Sequence, residues 1–180
     1  MLVALVDTLK QLRYQIAHLD DGTLNSEYPE LASFIQEVGL TVTESKADLT
    51  LLYQFLYVYG RKSEATYSRF RNELERFYLW SWLIAEKSVF DLKREDIEAY
   101  VDFMVEPDKK WAATSVQWRY KDEQGIRRLN QNWRPFMLKE STASHQTVSA
   151  MFTALHVFYK FALLEEKTFA NFVPVVKKNS

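Results

Sequence analysis

Residues 61–87 read RKSEATYSRFRNELERFYLWSWLIAEK. Ser63 suits a helix N-cap, because its hydroxyl can accept a backbone N–H that the first turn leaves unpaired. Phe70, Leu74, Phe77 and Ile84 follow at i, i+4, i+7 and i+14, one apolar stripe with Tyr78 and Trp82 beside it. The spacing predicts a single long helix over 64–86. Gly and Pro number four each, and the glycines stand between periodic segments rather than within them. A β-rich fold with many tight turns needs more glycine, so the chain points to an all-α fold around this helix.

The neighbouring segments repeat the pattern. SVFDLKREDIEAYVDFMVEP (88–107) sets Ile97, Tyr100, Val101 and Met104 at i, i+3, i+4 and i+7. Glu95 and Asp96 fall in its first turn, where negative charge suits the helix dipole, and Pro107 ends it. In TVTESKADLTLLYQFLYVYG (41–60), Asp48 is a candidate cap for a helix through Tyr59, with Gly60 as its stop. YPELASFIQEVG (28–39) reads as a short helix with Pro near its start and Gly39 past its end. Residues 2–19 place Leu2, Leu5, Val6, Leu9, Leu12, Ile16 and Leu19 at helical spacing, which predicts one more helix. ASHQTVSAMFTALHVFYKF (143–161) offers Ser144 as a cap. Val148, Met151, Phe152, Leu155, Phe158, Tyr159, Ala162 and Leu163 then form a wide apolar face. Residues 165–180 read as an extended tail leaving the bundle. Residues 108–142 break the rhythm. There Val116, Trp118 and Tyr120 alternate with polar residues before DEQG, the pattern of a hairpin or an ordered loop.

An apolar content of 47%, with 15% aromatics, excludes disorder and fills a core for one domain with an extension. The absence of cysteine excludes disulfides and Cys-ligated zinc, and suits a reducing, cytoplasmic, bacterial-type location. No signal peptide and no transmembrane span are expected, since LTLLYQFLYVYG (49–60) is too short and too polar to cross a membrane. The net charge of −1 hides blocks: residues 1–50 carry three basic and eight acidic groups, residues 109–139 eight and two. Such blocks suggest polar faces with different partners.

Catalytic chemistry finds little to use. No Gly-rich phosphate loop, no G-x-S-x-G and no Ser/His/Asp spacing is present. His18, His145 and His156 form no metal-binding pattern, since the last two stand three helical turns apart. His156, beside the apolar stripe, reads as a satisfied, half-buried histidine. No catalytic residue, metal or cofactor is therefore assigned. The stronger signal is KKWAATSVQWRYKDEQGIRRLNQNWRPFMLK (109–139). Its cations can neutralise phosphates and its aromatics can stack. The competing reading is an aromatic mini-core under a charged loop, with Trp111, Trp118 and Trp133 packed inside.

Three fragments, taken in order, carry a family likeness. SEATYSRFRNELERFYLWSW supplies Ser63, Thr66, Tyr67, Leu74 and Phe77; VFDLKREDIEAYVDFM supplies Asp96, Ile97 and Tyr100. The helix from 143 supplies Ser144, Thr147, Val148, Leu155, Phe158 and Tyr159, followed by Asn171, Pro174, Lys177 and Lys178. Over roughly residues 48–178 the chain resembles the N-terminal core-binding (SAM-like) domain of tyrosine recombinases, the phage-integrase family. The resemblance implies a compact four-helix bundle over 48–172, with 108–142 as an insertion. It further implies an acidic helical extension over 1–47 and a linker over 173–180 toward a catalytic domain. Two departures stand out: the insertion is long, and the extension is not a basic arm-type DNA-binding domain. The family's catalytic His-x-x-Arg has no counterpart, so the resemblance makes this chain the non-catalytic half of a clamp on double-stranded DNA, working beside other recombinase protomers.

On that reading DNA contacts are expected at two helix starts, Arg61, Lys62, Ser63, Thr66 and Arg69 for the first and Ser144, His145, Gln146 and Ser149 for the second. Arg127, Arg128 and Arg134 in the insertion, with Lys177 and Lys178 in the linker, would track phosphates. The alternative is a helical protein–protein interaction module that does not bind DNA, drawn from the acidic N-terminal region.

Overall fold

The computed structural model describes residues 1–138, 145–168 and 170–176, without the side chains of His145 and Gln146. Helix accounts for 62% of the chain and strand for 7%, which makes it mostly helical. The α-helices are α1 (Leu12–Asp21), α2 (Leu24–Glu27), α3 (Pro29–Glu37), α4 (Val42–Phe55), α5 (Glu64–Trp80), α6 (Arg94–Val105) and α7 (His145–Leu164). Short strands β1 (Ala112–Ala113), β2 (Tyr120–Glu123), β3 (Ile126–Leu129) and β4 (Phe136–Met137) lie between α6 and α7.

The long helix forms as its spacing predicts. The Ser63 hydroxyl accepts from the Thr66 N–H at 3.1 Å, and Leu74, Phe77, Tyr78 and Trp82 are fully buried. Ile84 departs from the stripe and is 48% exposed. Residues Ser81–Ala85 form a π-helical turn, whose extra residue per turn rotates Ile84 off the core. The start of α4 also differs. Thr41, not Asp48, caps it, through a reciprocal pair in which Thr41 Oγ1 accepts from Glu44 N and Glu44 returns to Thr41 N, both at 3.1 Å. Asp48 is instead buried inside the helix.

Residues 1–7 are the largest departure. They are not helical; they run into the core, and Val3 to Asp7 have no exposed surface. A short apolar run has the same composition whether it is a buried helix or a buried extended segment, so periodicity cannot separate the two. No sheet satisfies this backbone; side chains from other elements do. Tyr53 Oη donates to Leu5 O at 2.6 Å and Tyr67 Oη to Asp7 O at 2.8 Å. Tyr120 Oη donates to Ala4 O, and Val6 N donates to Glu75 Oε2 at 3.0 Å. Burial would otherwise leave these groups unpaired at real cost. Residues 1–47 therefore share one core with the rest. The expected boundary at 47/48 falls within the unbroken α4.

Deleting residues 1–7 is expected to abolish cooperative folding. Each apolar side chain lost forfeits about 1.5–3 kcal/mol, against a total stability of about 5–15 kcal/mol. A far-ultraviolet circular dichroism melt that stayed cooperative would contradict this placement.

The region 108–138 is ordered and folds on the same core through Trp111, Tyr120, Leu129, Trp133 and Phe136. β2 and β3 pair antiparallel, Tyr120 opposite Leu129 and Glu123 opposite Ile126. Gln124 and Gly125 turn the hairpin with φ of 54° and 84°, a two-residue turn that glycine suits. β1 and β4 pair in parallel. Trp111 and Trp133 are packed, as the mini-core reading expects, whereas Trp118 is 52% exposed.

α7 crosses α4, α5 and α6 with Met151, Leu155, Phe158 and Ala162 fully buried; Leu163, expected on that face, is exposed. The window Thr147–Leu164 is long and apolar enough to cross a membrane by length and composition, against the expectation of no such span. Half of it is buried here, so core packing accounts for its apolarity. The tail turns back rather than leaving: a short 3₁₀ turn at Val173–Val175 buries Val173 and Val176 against α6 and α7.

Candidate nucleic-acid interface

Cations gather at the start of α5. Arg61 lies with its guanidinium carbon 4.2 Å from the Tyr57 ring centroid. Arg13, from α1, lies 5.4 Å from the same centroid and donates from Nη2 to the Tyr57 hydroxyl at 2.7 Å. The hydrogen bond from Arg13, then the two positive charges, hold the Tyr57 phenol below its ordinary pKa against the opposing effect of burial. Lys62 and Arg69 are exposed nearby in sequence, with Arg69 5.7 Å from the Phe70 centroid. Among the described residues none of Arg13, Arg61, Lys62 and Arg69 has a carboxylate within 4.0 Å. Ser63 and Thr66, exposed and half-buried, are engaged with each other in the cap, Ser63 Oγ donating to Thr66 Oγ1 at 3.0 Å. Arg13 and Tyr57 escaped the sequence reading; they come from separate helices, and no local pattern announces their meeting.

The insertion arginines are placed otherwise. Arg127 Nε and Nη2 donate to Asp7 Oδ2 and Oδ1 at 2.9 and 3.0 Å, and the two side chains are 11% and 0% exposed. It is committed to the protein interior, not to a phosphate. Arg128 lies 3.6 Å from Glu30, and Arg119 pairs with the buried Glu75. Arg134 donates to the carbonyls of Lys110, Gln131 and Trp133 at 3.1, 2.9 and 2.7 Å. Part of the positive charge of this segment thus answers carboxylates of the N-terminal region and of α5. The two charge blocks of the sequence meet each other.

The described members of the second expected set, His145, Gln146 and Ser149, stay apart from the first. Tyr59, just before α5, packs edge-on against Phe161 at 5.6 Å, so the start of α5 sits beside the end of α7. His145 is about 24 Å back along α7 at roughly 1.5 Å per residue. Ser149 is half-buried, and its carbonyl accepts from Thr153 Oγ1 at 3.0 Å. Ser144, Lys177 and Lys178 lie outside the described residues, as do the side chains of His145 and Gln146.

His18 meets Thr23 Oγ1 at 2.6 Å, and His156, which is exposed rather than half-buried, meets Asn171 Nδ2 at 3.0 Å. No group of three His, Cys, Asp or Glu converges among the described residues. No protein-family model, no curated protein and no solved structure matches this chain.

Proposed function

We propose that this chain binds double-stranded DNA as the non-catalytic, core-binding half of a site-specific tyrosine recombinase. One observation carries the DNA reading. Among the described residues Arg13 and Arg61 converge on Tyr57 with no carboxylate within 4.0 Å, whereas Arg76, Arg94, Arg119, Arg127 and Arg128 all have one. Exposed guanidinium groups that meet a phenol rather than a carboxylate, beside a helix N-terminus, suit phosphate oxygens. The ordered helix likeness adds the recombinase class and the four-helix core around α4, α5, α6 and α7.

Fluorescence anisotropy on a labelled duplex tests it. Binding should weaken steeply with salt, with log Kd changing by about 0.9 per phosphate contact per log unit of salt. Arg61→Ala with Lys62→Ala should reduce that slope by about 2 and weaken all sequences alike. Absent binding at low salt, or binding indifferent to salt, would overturn the proposal.

A helical interaction module is the second reading. Val116, 89% exposed, with Trp118 and Met137 nearby in the insertion, is an apolar group open to a partner. That reading expects self-association in sedimentation that persists at high salt and is lost in Trp118→Ser.

A further inference from the structure

Between α5 and the insertion lies a cleft of about 210 Å³, lined by Arg71, Arg76, Arg119 and Arg134. Two of the four cations have carboxylate partners: Arg76 with Glu73 at 3.1 Å, and Arg119 with Glu75. Arg134 donates to backbone carbonyls and has no carboxylate within 4.0 Å among the described residues. Arg71 donates from Nε to Asn72 Oδ1 at 3.3 Å and has no carboxylate within 4.0 Å among the described residues. Among the described residues the four arginines of the cleft thus outnumber the carboxylates within 4.0 Å of them by two, in a partly desolvated setting where charge interactions strengthen.

The donors are also held in place. Arg76 packs 4.8 Å from the Phe136 centroid and Arg119 5.0 Å from that of Trp133. Arg76 Nε is fixed to Pro135 O at 2.7 Å, and Arg119 Nη2 to Asn72 Oδ1 at 2.9 Å. Guanidinium planes fixed this way lose little freedom on binding an oxyanion. Small-molecule pockets commonly run from roughly 300 Å³ upward. The smaller cleft fits a phosphate group better than an entire cofactor. Burial, and then the charge of Arg119, push the pKa of Arg71 below its ordinary value, against the opposing pull of Glu75, Tyr67 and Glu64.

We propose that this cleft is a phosphate-binding site, with Arg71 as its unpaired donor and Arg76, Arg119 and Arg134 as its walls. The phosphate group comes either from a free phosphomonoester or from a DNA backbone. The site is separate from the Tyr57 cluster and does not depend on it.

The test titrates inorganic phosphate into the full chain at constant ionic strength, following the arginine Nε–Hε resonances and the melting temperature. Phosphate should shift the Arg71, Arg76 and Arg134 signals and raise the melting temperature, and chloride should not. Arg71→Gln should weaken phosphate binding about tenfold or more, the value of a charge-assisted contact. Without phosphate its melting temperature should fall little, because a glutamine amide can still reach Asn72 Oδ1 and Arg71 has no carboxylate within 4.0 Å among the described residues. Equal effects of chloride and phosphate, or unchanged phosphate binding in Arg71→Gln, would overturn the site. The same titration on Arg61→Ala with Lys62→Ala isolates it from the DNA reading. Phosphate binding should survive there even if DNA binding is lost. A duplex that displaces phosphate from the cleft identifies the backbone as the source, and a nucleoside monophosphate that displaces it where a duplex does not identifies the free ester.

Discussion

Asp7→Ala is expected to destabilise the protein by about 3–5 kcal/mol, the cost of stripping one partner from a buried ion pair. The Asp7 carboxylate accepts from Arg127 at two points, at 2.9 and 3.0 Å, and from Tyr28 Oη at 2.8 Å. Alanine leaves a guanidinium and a phenol without their acceptor inside the fold. Arg127→Ala should cost a similar amount, because it strands a carboxylate that has no exposed surface. The double variant should cost clearly less than the two single changes together, since the second removal no longer strands a charge. Urea denaturation of the three variants measures this coupling. Single effects below about 1 kcal/mol would place the pair at the solvent surface, where ion pairs contribute that little. Arg128, 43% exposed and 3.6 Å from Glu30, should be near neutral when changed to alanine. Any loss of DNA binding in Arg127→Ala should accordingly follow the folded fraction, and adding salt should not change the ratio to the natural protein.

The contrast between Arg127 and Arg61 shows what the sequence could reveal. Both looked like free cations in mixed surroundings. Arg61 stays exposed because Tyr57 and Arg13 offer it only a ring and a like charge. Arg127 turns inward because the hairpin carries it onto a carboxylate 120 residues earlier. Helix positions were readable because caps and stripes are local: Ser63, the Leu74–Phe77–Tyr78 face and the first turn of α6 all form as their spacing requires. Residues 1–7 carry the same apolar density as a helix, and side chains from elsewhere in the chain, those of Gln15, Tyr53, Tyr67, Glu75, Arg119 and Tyr120, hold them extended. The arginine cleft was hidden for the same reason. Its cations come from two segments far apart in the chain, and α5 shows Arg71 only as one more polar residue on a solvated face.

Asp48 carries the second large effect, and here the sign depends on pH. Its carboxylate is buried and accepts from Trp82 Nε1 at 2.8 Å, Ser88 Oγ at 2.6 Å and Val89 N at 3.0 Å. Burial outweighs these donors and pushes its pKa from 3.8 up to about 6. The folded protein thus holds this proton more tightly than the unfolded chain does. Stability contributed by protonation should therefore grow as pH falls from about 7 toward 4, and level off below, by about 3 kcal/mol in all. Asparagine can reproduce the contacts: its oxygen accepts from Trp82 and Val89, and its amide donates to Ser88 Oγ. Asp48→Asn should consequently match or exceed the natural protein at pH 7.5 and lose that advantage near pH 4.5. Asp48→Ala should be destabilised at both, since three buried donors lose their acceptor at about 1–3 kcal/mol each. Urea midpoints of the natural protein and Asp48→Asn at the two pH values decide it, because the difference cancels other groups that titrate in this range. A difference that stays constant with pH would mean that Asp48 remains ionised throughout, its three donors outweighing burial. The stakes reach beyond one side chain. Asp48 joins α4 to the π-helical turn after α5 and to the turn before α6, and Tyr159 of α7 donates to Val89 O at 2.6 Å in that same turn. Loosening this junction would free α6 and α7 from the helix that presents Arg61 and Lys62.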